Sequence, residues 1–204
     1  IKARGQLICG VGIGTAGFNL ADSQGKWTGL DVDLCKAIAA AMFGDAEKAK
    51  FTPTTAQQRF VALQSGEVDV ITRNATQTLL RDTSLGFNIA GVNFYDGQGM
   101  MVAANSGYSS VSQMKGAIIC VSKGTTTEGN AALESSRLGL NWEVRSFDDT
   151  DLILEAFIAG QCDGWSSDVS QLTGFRSAYP EGAAALAILP EVFSKEPLAP
   201  AVLD

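Results

Sequence analysis

The run Thr72 to Asp82, TRNATQTLLRD, follows the apolar VDVI of residues 68–71 and gathers two arginines, an asparagine, a glutamine and three threonines. Asn74 and Thr76 lie two apart in a segment that reads as extended, so their side chains share one side. Arg81 follows Thr76 by five residues. A guanidinium grips a carboxylate through two parallel hydrogen bonds, while hydroxyls and amides satisfy the remaining lone pairs. The plainer alternative has Thr78 capping a helical turn and Arg81 on the surface beside Asp82. Asn-Ala-Thr also fits a glycosylation acceptor, a weak signal that nothing else in the chain supports.

Two further clusters carry chemistry. VSKGTTTE, residues 121–128, reads as a strand, a glycine turn, three threonines and a helix start. The first amides of a helix together with hydroxyls form an anion seat. Capping by one threonine, with Glu128 completing a capping box, is the plainer reading and is compatible with it. CDGWSSD, residues 162–168, ends in Asp168, which either receives an ammonium group or caps the next helix. An arginine and threonines for a carboxylate plus an aspartate for an ammonium match an α-amino acid, which bears both groups on one carbon. The chain has no histidine, so the usual nucleophile–base pair cannot be built, and binding is the expected chemistry. GVGIGTAG (10–17) fails as a dinucleotide fingerprint, because Thr15 stands at the third glycine and no helix follows directly.

These clusters need elements to hold them. QLICGV (6–11) reads as a buried strand, and LDVDLCKAIAAAMFG as a helix with Asp31 or Asp33 near its start and Gly44 as its stop. KAKFTPTT is a strand limited by Pro53, AQQRFVALQSG a helix ended by Gly66, and VDVIT a strand. The middle region repeats the alternation: GMMVAAN, AIICVSKG, WEVRSF and CDGWSS as strands, with helices after Gly124, from the run Asp148 to Asp151, and over DVSQLTGFRSAY. Alternating strands and helices imply an α/β fold with parallel sheets. FVALQSGEVDVITRN (60–74) and LEAFIAGQCDGWSSD (154–168) share one plan: helix, glycine, aspartate, short strand, polar cluster. This predicts two similarly built lobes, each with its cluster at the carboxyl end of an equivalent strand, where open α/β sheets bind ligands.

The 204 residues are 46% hydrophobic with a net charge of −7, which argues against nucleic acid and anionic membrane surfaces. No apolar run approaches the ~18 residues of a membrane span. The chain opens directly on a strand pattern, so any secretory leader is expected to have been removed or never present. The four cysteines, Cys9, Cys35, Cys120 and Cys162, have no CxxC spacing and no histidine to help them, so no metal site is expected. They are either buried thiols or two disulfides, with three connectivities open. A local pairing of Cys9 with Cys35 and Cys120 with Cys162 keeps each bridge in one structural unit and implies an oxidising compartment.

The motifs GKWTGLDVDLCKAIAAAMFGD, RFVALQSGEVDV, RNATQTLLRDTSLG, YDGQGMMV, GTTTE and SKEPLAPAV, in this order from Gly5 to the end, resemble the periplasmic amino-acid-binding proteins of ABC transporters. The general L-amino-acid-binding subfamily is the most similar, its cysteines included. The resemblance implies a type II two-lobe fold, each lobe a sheet flanked by helices, with two hinge crossings near 95–101 and 189–197. Lobe 1 would comprise 1–97 and 195–204, and lobe 2 98–194. It implies a periplasmic, non-enzymatic receptor, without cofactor, that binds a free L-amino acid in the cleft and presents it to a membrane permease. Arg81 corresponds to the carboxylate clamp, Thr76 to the hydroxyl before it, Asn74 to a backbone-contact position, Thr125 and Thr126 to carboxylate contacts of the second lobe, and Asp168 to the ammonium partner. Arg73 and Thr78 are not expected to touch ligand. Gly12 and Thr15 stand where many members have an aspartate and a stacking aromatic, and Ala56 where many have an apolar contact, which suits broad specificity. Members continue for several dozen residues past EPLAPAV; if the end at Asp204 is native, a homodimer is expected to cover the exposed face. A small lyase on the same fold, or a truncated relative without transport function, is the alternative.

Overall fold

A computed structural model describes residues 1–203. In chain order its elements are β1 (Leu7–Val11), the hairpin β2 (Leu20–Ala21) and β3 (Trp27–Thr28), α1 (Leu30–Phe43), β4 (Ala49–Pro53), α2 (Arg59–Gln64), β5 (Val70–Ile71), α3 (Leu79–Ser84), β6 (Phe87–Ile89) and β7 (Phe94–Asp96). There follow β8 (Gln98–Ala103), β9 (Ile118–Ser122), α4 (Thr126–Leu138), β10 (Glu143–Phe147), α5 (Thr150–Ile158), β11 (Gly164–Asp168), α6 (Val169–Ala178), β12 (Leu186–Ile188), β13 (Glu196–Leu198) and β14 (Ala201–Leu203). The chain divides into two compact units: Ile1–Tyr95 with the chain from Pro197 onward, and Asp96–Glu196. It passes from one to the other in β7 and returns in β13, and these two strands pair with each other.

The first unit is built on a five-stranded sheet in the order β4-β1-β5-β14-β6. β1 is parallel to both neighbours, with Cys9 opposite Phe51 on one side and Val70 on the other. β14 is antiparallel to β5 and β6, Ala201 lying opposite Ile71 and Ile89. Successive strand residues point to opposite faces. Val70 therefore packs with Leu7, Cys9, Val11 and Ala39 beneath α1, while Ile71 packs with Leu63, Val68 and Phe87 on the other side. Burying each large aliphatic or aromatic side chain in this way contributes about 1.5–3 kcal/mol.

Helix α1 starts against the glycine-rich loop. The carbonyls of Gly17 and Phe18 accept from the Leu30 and Asp31 amides at 3.0 Å, satisfying donors that a helix start leaves without partners. Gly29 sits at the N-cap with φ 119°, and a Cβ there would lie 2.3 Å from the Phe18 carbonyl oxygen, so only glycine fits. Helix α2 begins at Arg59, later than the sequence pattern suggests, because the Thr55 hydroxyl accepts the Gln58 amide and holds the preceding residues as a turn.

The second unit carries a sheet in the order β10-β9-β11-β8-β12. β9 is parallel to β10 and β11, whereas β8 is antiparallel to β11 and β12. β8 lies between two neighbours and is buried along almost its whole length, which its continuous apolar sequence requires. Met100 packs with Met114, Ile119 and Val121, and Met101 with Cys120, Ile153 and Trp165 on the opposite face.

Cys9 is bonded to Cys35 and Cys120 to Cys162, the local pairing, so β1 is tied to α1 and β9 to the turn before β11. No described helix is long and apolar enough to cross a membrane.

Candidate functional site

In the first unit the polar run leaves the carboxyl end of β5 and is held by the returning chain. Ala75 accepts from the Ala199 amide at 3.0 Å, Thr76 bridges to Leu198, and the Gln77 amide donates to the Pro197 carbonyl at 2.7 Å. Thr78 then caps α3, its hydroxyl accepting from the Arg81 amide at 3.2 Å. The plain capping role of Thr78 is therefore real, but Arg81 is no surface residue: it is 6% exposed. Its Nη1 donates to the Thr76 carbonyl at 2.6 Å, and its guanidinium carbon lies 5.0 Å from the centre of the Phe60 ring. Asn74, Thr76 and Arg81 thus share one polar centre.

That centre contains a residue the sequence reading passed over. Arg59 is buried at the start of α2, donates from Nη1 to the Asn74 carbonyl at 3.3 Å, and places its guanidinium 4.8 Å from the same Phe60 ring. Phe60 in turn stacks on Phe87, with centroids 5.0 Å apart and an interplanar angle of 23°. A ring flanked by two guanidiniums and backed by a second ring fixes both cations in place. The only signal was an arginine abutting an aromatic at the head of an apolar helix. Arg73 donates to the Thr54 carbonyl and, at 3.1 Å, to Asn74 Oδ1.

Beside it, the glycine-rich loop closes on a buried polar pair. Asn19 donates from Nδ2 to Asp31 Oδ2 at 2.6 Å, and its Oδ1 accepts from the Thr15 amide at 3.1 Å. Burial pushes the Asp31 carboxyl up to about 7, with the Asn19 hydrogen bond and the Arg73 charge acting in the opposite direction. A Cβ on Gly12 would come within 2.7 Å of the Asn19 amide. The volume that a longer side chain would need at residue 12 is therefore filled by Asn19.

In the second unit, Thr125, Thr126 and Asp168 stand at the carboxyl ends of the parallel neighbours β9 and β11. The buried Gln98 amide links these ends, donating to the Thr127 carbonyl at 3.0 Å and to Ser166 Oγ at 2.9 Å. Thr125 caps α4 and donates its hydroxyl proton to the Ser122 carbonyl at 2.6 Å. Glu128 reaches back to the Gly124 amide at 3.0 Å, one residue before the cap. Thr126 donates to Glu196 Oε2 at 2.9 Å, and Glu196 is a second residue missed in the sequence. Asp168 is 5% exposed and holds the N-cap position of α6, yet its side chain makes no capping hydrogen bond. Asp96 does that work: its Oδ1 accepts from the Ser170 amide at 3.4 Å, and its other oxygen accepts from the Ser170 hydroxyl.

Two α/β units, each with a polar cluster at the carboxyl ends of its parallel strands and joined by two crossings, define a type II periplasmic binding protein fold. The chain belongs to the bacterial extracellular solute-binding proteins, family 3, whose family model matches residues 7–152. It is 47% identical over 202 residues to the general L-amino acid-binding periplasmic protein AapJ of Rhizobium johnstonii, covering 99% of this chain and 59% of that one. It is also 47% identical over 202 residues to the glutamate/glutamine/aspartate/asparagine-binding protein BztA of Rhodobacter capsulatus, covering 99% of this chain and 60% of that one. The chain therefore spans about three fifths of the length of these relatives. Among solved structures, a periplasmic binding protein of an ABC transporter from Brucella ovis, with glutathione bound, superposes with a TM-score of 0.95 at 46% identity, covering all of this chain and 64% of that one.

Proposed function

We propose that this chain is the ligand-binding part of an extracytoplasmic receptor that takes up a free L-amino acid and delivers it to an ABC-transporter permease. The observation that carries the reading is Arg81: a buried guanidinium in the first turn of α3, where the polar run that leaves β5 ends, held by the Thr76 carbonyl and the Phe60 ring. Such a group is arranged to receive a carboxylate bidentately. Asn74 and Thr76 flank it. Asp168, a buried carboxylate at the carboxyl end of β11, is the candidate partner for the α-ammonium, and the first turn of α4 at Thr125 and Thr126 offers main-chain donors. The family relatives are binding proteins, which supports a receptor over a lyase. Their periplasmic setting and the two disulfides support a periplasmic location.

The test is calorimetric titration with the twenty L-amino acids and with glutathione. Binding of several amino acids within about 100-fold of one another, or roughly 3 kcal/mol, is the expected result. Absence of binding to every one overturns the reading. Light scattering on the same sample, read against the 21.4 kDa of one chain, reports whether it is a monomer or a homodimer.

A further inference from the structure

We propose that a cavity within the second unit binds a small alkylammonium cation, its aliphatic stem lying on apolar walls and its ammonium on the carboxylate of Glu191. Every residue lining this cavity belongs to Asp96–Glu196, and none is a candidate contact for the amino acid. The second site is therefore independent of the first.

The cavity measures about 670 Å³, within the range of roughly 300–1,000 Å³ typical of small-molecule sites. Three segments enclose it: the turn at Ser110–Ser112, the end of α4, and the stretch 191–195 that leads into β13. That stretch is no strand, yet it is fixed along the start of β8. The Phe193 amide donates to the Gln98 carbonyl at 3.0 Å, and Ser194 Oγ accepts from the Gln98 amide at 3.1 Å. The Phe193 ring lies 6.5 Å, centre to centre, from that of the buried Trp142. Phe193, Val111 and Leu138 supply the apolar walls.

The charges lining the cavity are unequally matched. Glu134 accepts from Arg137 Nε at 2.8 Å and Nη2 at 2.6 Å, so this pair is satisfied within α4. Glu191 forms no ion pair among the described residues. Its Oε1 accepts from the Ser110 hydroxyl, while its Oε2 is shielded from solvent and has no donor. A shielded acceptor left without a donor is costly. The terminal torsion of a glutamate is soft, so the carboxylate can turn to meet an N–H that enters the cavity. The neighbouring hydroxyls favour the same kind of ligand. Ser110 spends its one proton on Glu191, so Ser112 is the donor in their 2.8 Å hydrogen bond, and Ser112 Oγ presents lone pairs. Lys195, on the rim, is exposed and does not reach Glu191. The net charge of −7 favours the approach of a cation over that of an anion.

The experiment is calorimetric titration of the full chain with cadaverine, which has no carboxylate for Arg81 to hold, and with 1-pentanol as the uncharged stem. Cadaverine is expected to bind at least about tenfold more tightly than 1-pentanol. Glu191→Gln should weaken cadaverine by about tenfold or more, while leaving L-glutamate affinity within about threefold of wild type. Leu138→Arg, which sets a positive charge at the mouth of the cavity and suits the end of a helix, should weaken cadaverine by a similar factor. No binding of cadaverine at about 10 mM, 1-pentanol binding as tightly, or full cadaverine affinity in Glu191→Gln overturns the proposal. Should Glu191→Gln not fold, Leu138→Arg decides, and unchanged cadaverine affinity in that variant refutes the site. A chain that binds cadaverine in this way but no amino acid overturns the receptor reading and upholds this one.

Discussion

Arg81 shows how little side-chain chemistry says before burial is known. In sequence it is an arginine beside an aspartate, equally at home on a surface. In the fold its main chain is capped by Thr78, its Nη1 is taken by the Thr76 carbonyl, and its flat face lies on Phe60. Each contact restricts the side chain before any ligand arrives, so less entropy is lost on binding. Arg81→Ala should lower amino-acid affinity by at least about 100-fold in calorimetry, because a ligand carboxylate would lose its charged partner in a partly desolvated site. Arg81→Lys should restore only part of it, since an ammonium has neither the fork nor the stacking face. Unchanged affinity in the alanine variant defeats the clamp assignment.

At the scale of elements, the glycine-rich loop and α1 act together. Loop carbonyls cap the helix, and the Asn19–Asp31 pair locks the loop to its first turn. With Asp31 raised to about 7 in the fold and near 3.9 when unfolded, the native state holds a proton that the unfolded chain releases. Stability from this group is therefore greatest at low pH, declines between about pH 4 and 7, and is flat above that window. Denaturant titrations of wild type and Asp31→Asn across this range should diverge, the variant gaining on wild type by on the order of 1–4 kcal/mol as pH rises. Parallel profiles would show that Asp31 titrates normally. The loop itself was legible as a turn, and α1 was legible from its spacing and from Gly44. The buried pair was not, because nothing local marks Asn19 and Asp31, twelve residues apart, as partners.

At the scale of the whole chain, the two disulfides divide as the units do, Cys9–Cys35 in the first and Cys120–Cys162 in the second. Their sequence separations, 26 and 42, correspond to about 3–4 kcal/mol each of loop-closure entropy removed from the unfolded chain. Replacing Cys9 and Cys35 by serine should speed amide exchange in β1, β4 and α1 while leaving β9 and β11 protected; the Cys120/Cys162 pair should do the reverse. Equal loosening of both units by either replacement would refute this independence.

The sequence by itself determined the alternation of strands and helices, the echo between residues 60–74 and 154–168 and the absence of histidine, while the choice among the three cysteine connectivities waited for the fold. These are read from periodicity, glycine stops and residue counts, all local quantities. Only the tertiary structure decided which polar side chains meet. Asp96 accepts from the Ser170 amide at the start of α6, seventy-four residues later; Thr126 donates to Glu196, seventy residues later; and the run from Ala75 to Gln77 is held by a strand that returns at Pro197. Hydrogen bonds between distant segments leave no periodic trace, because each needs only one donor and one acceptor brought within 3 Å by the fold.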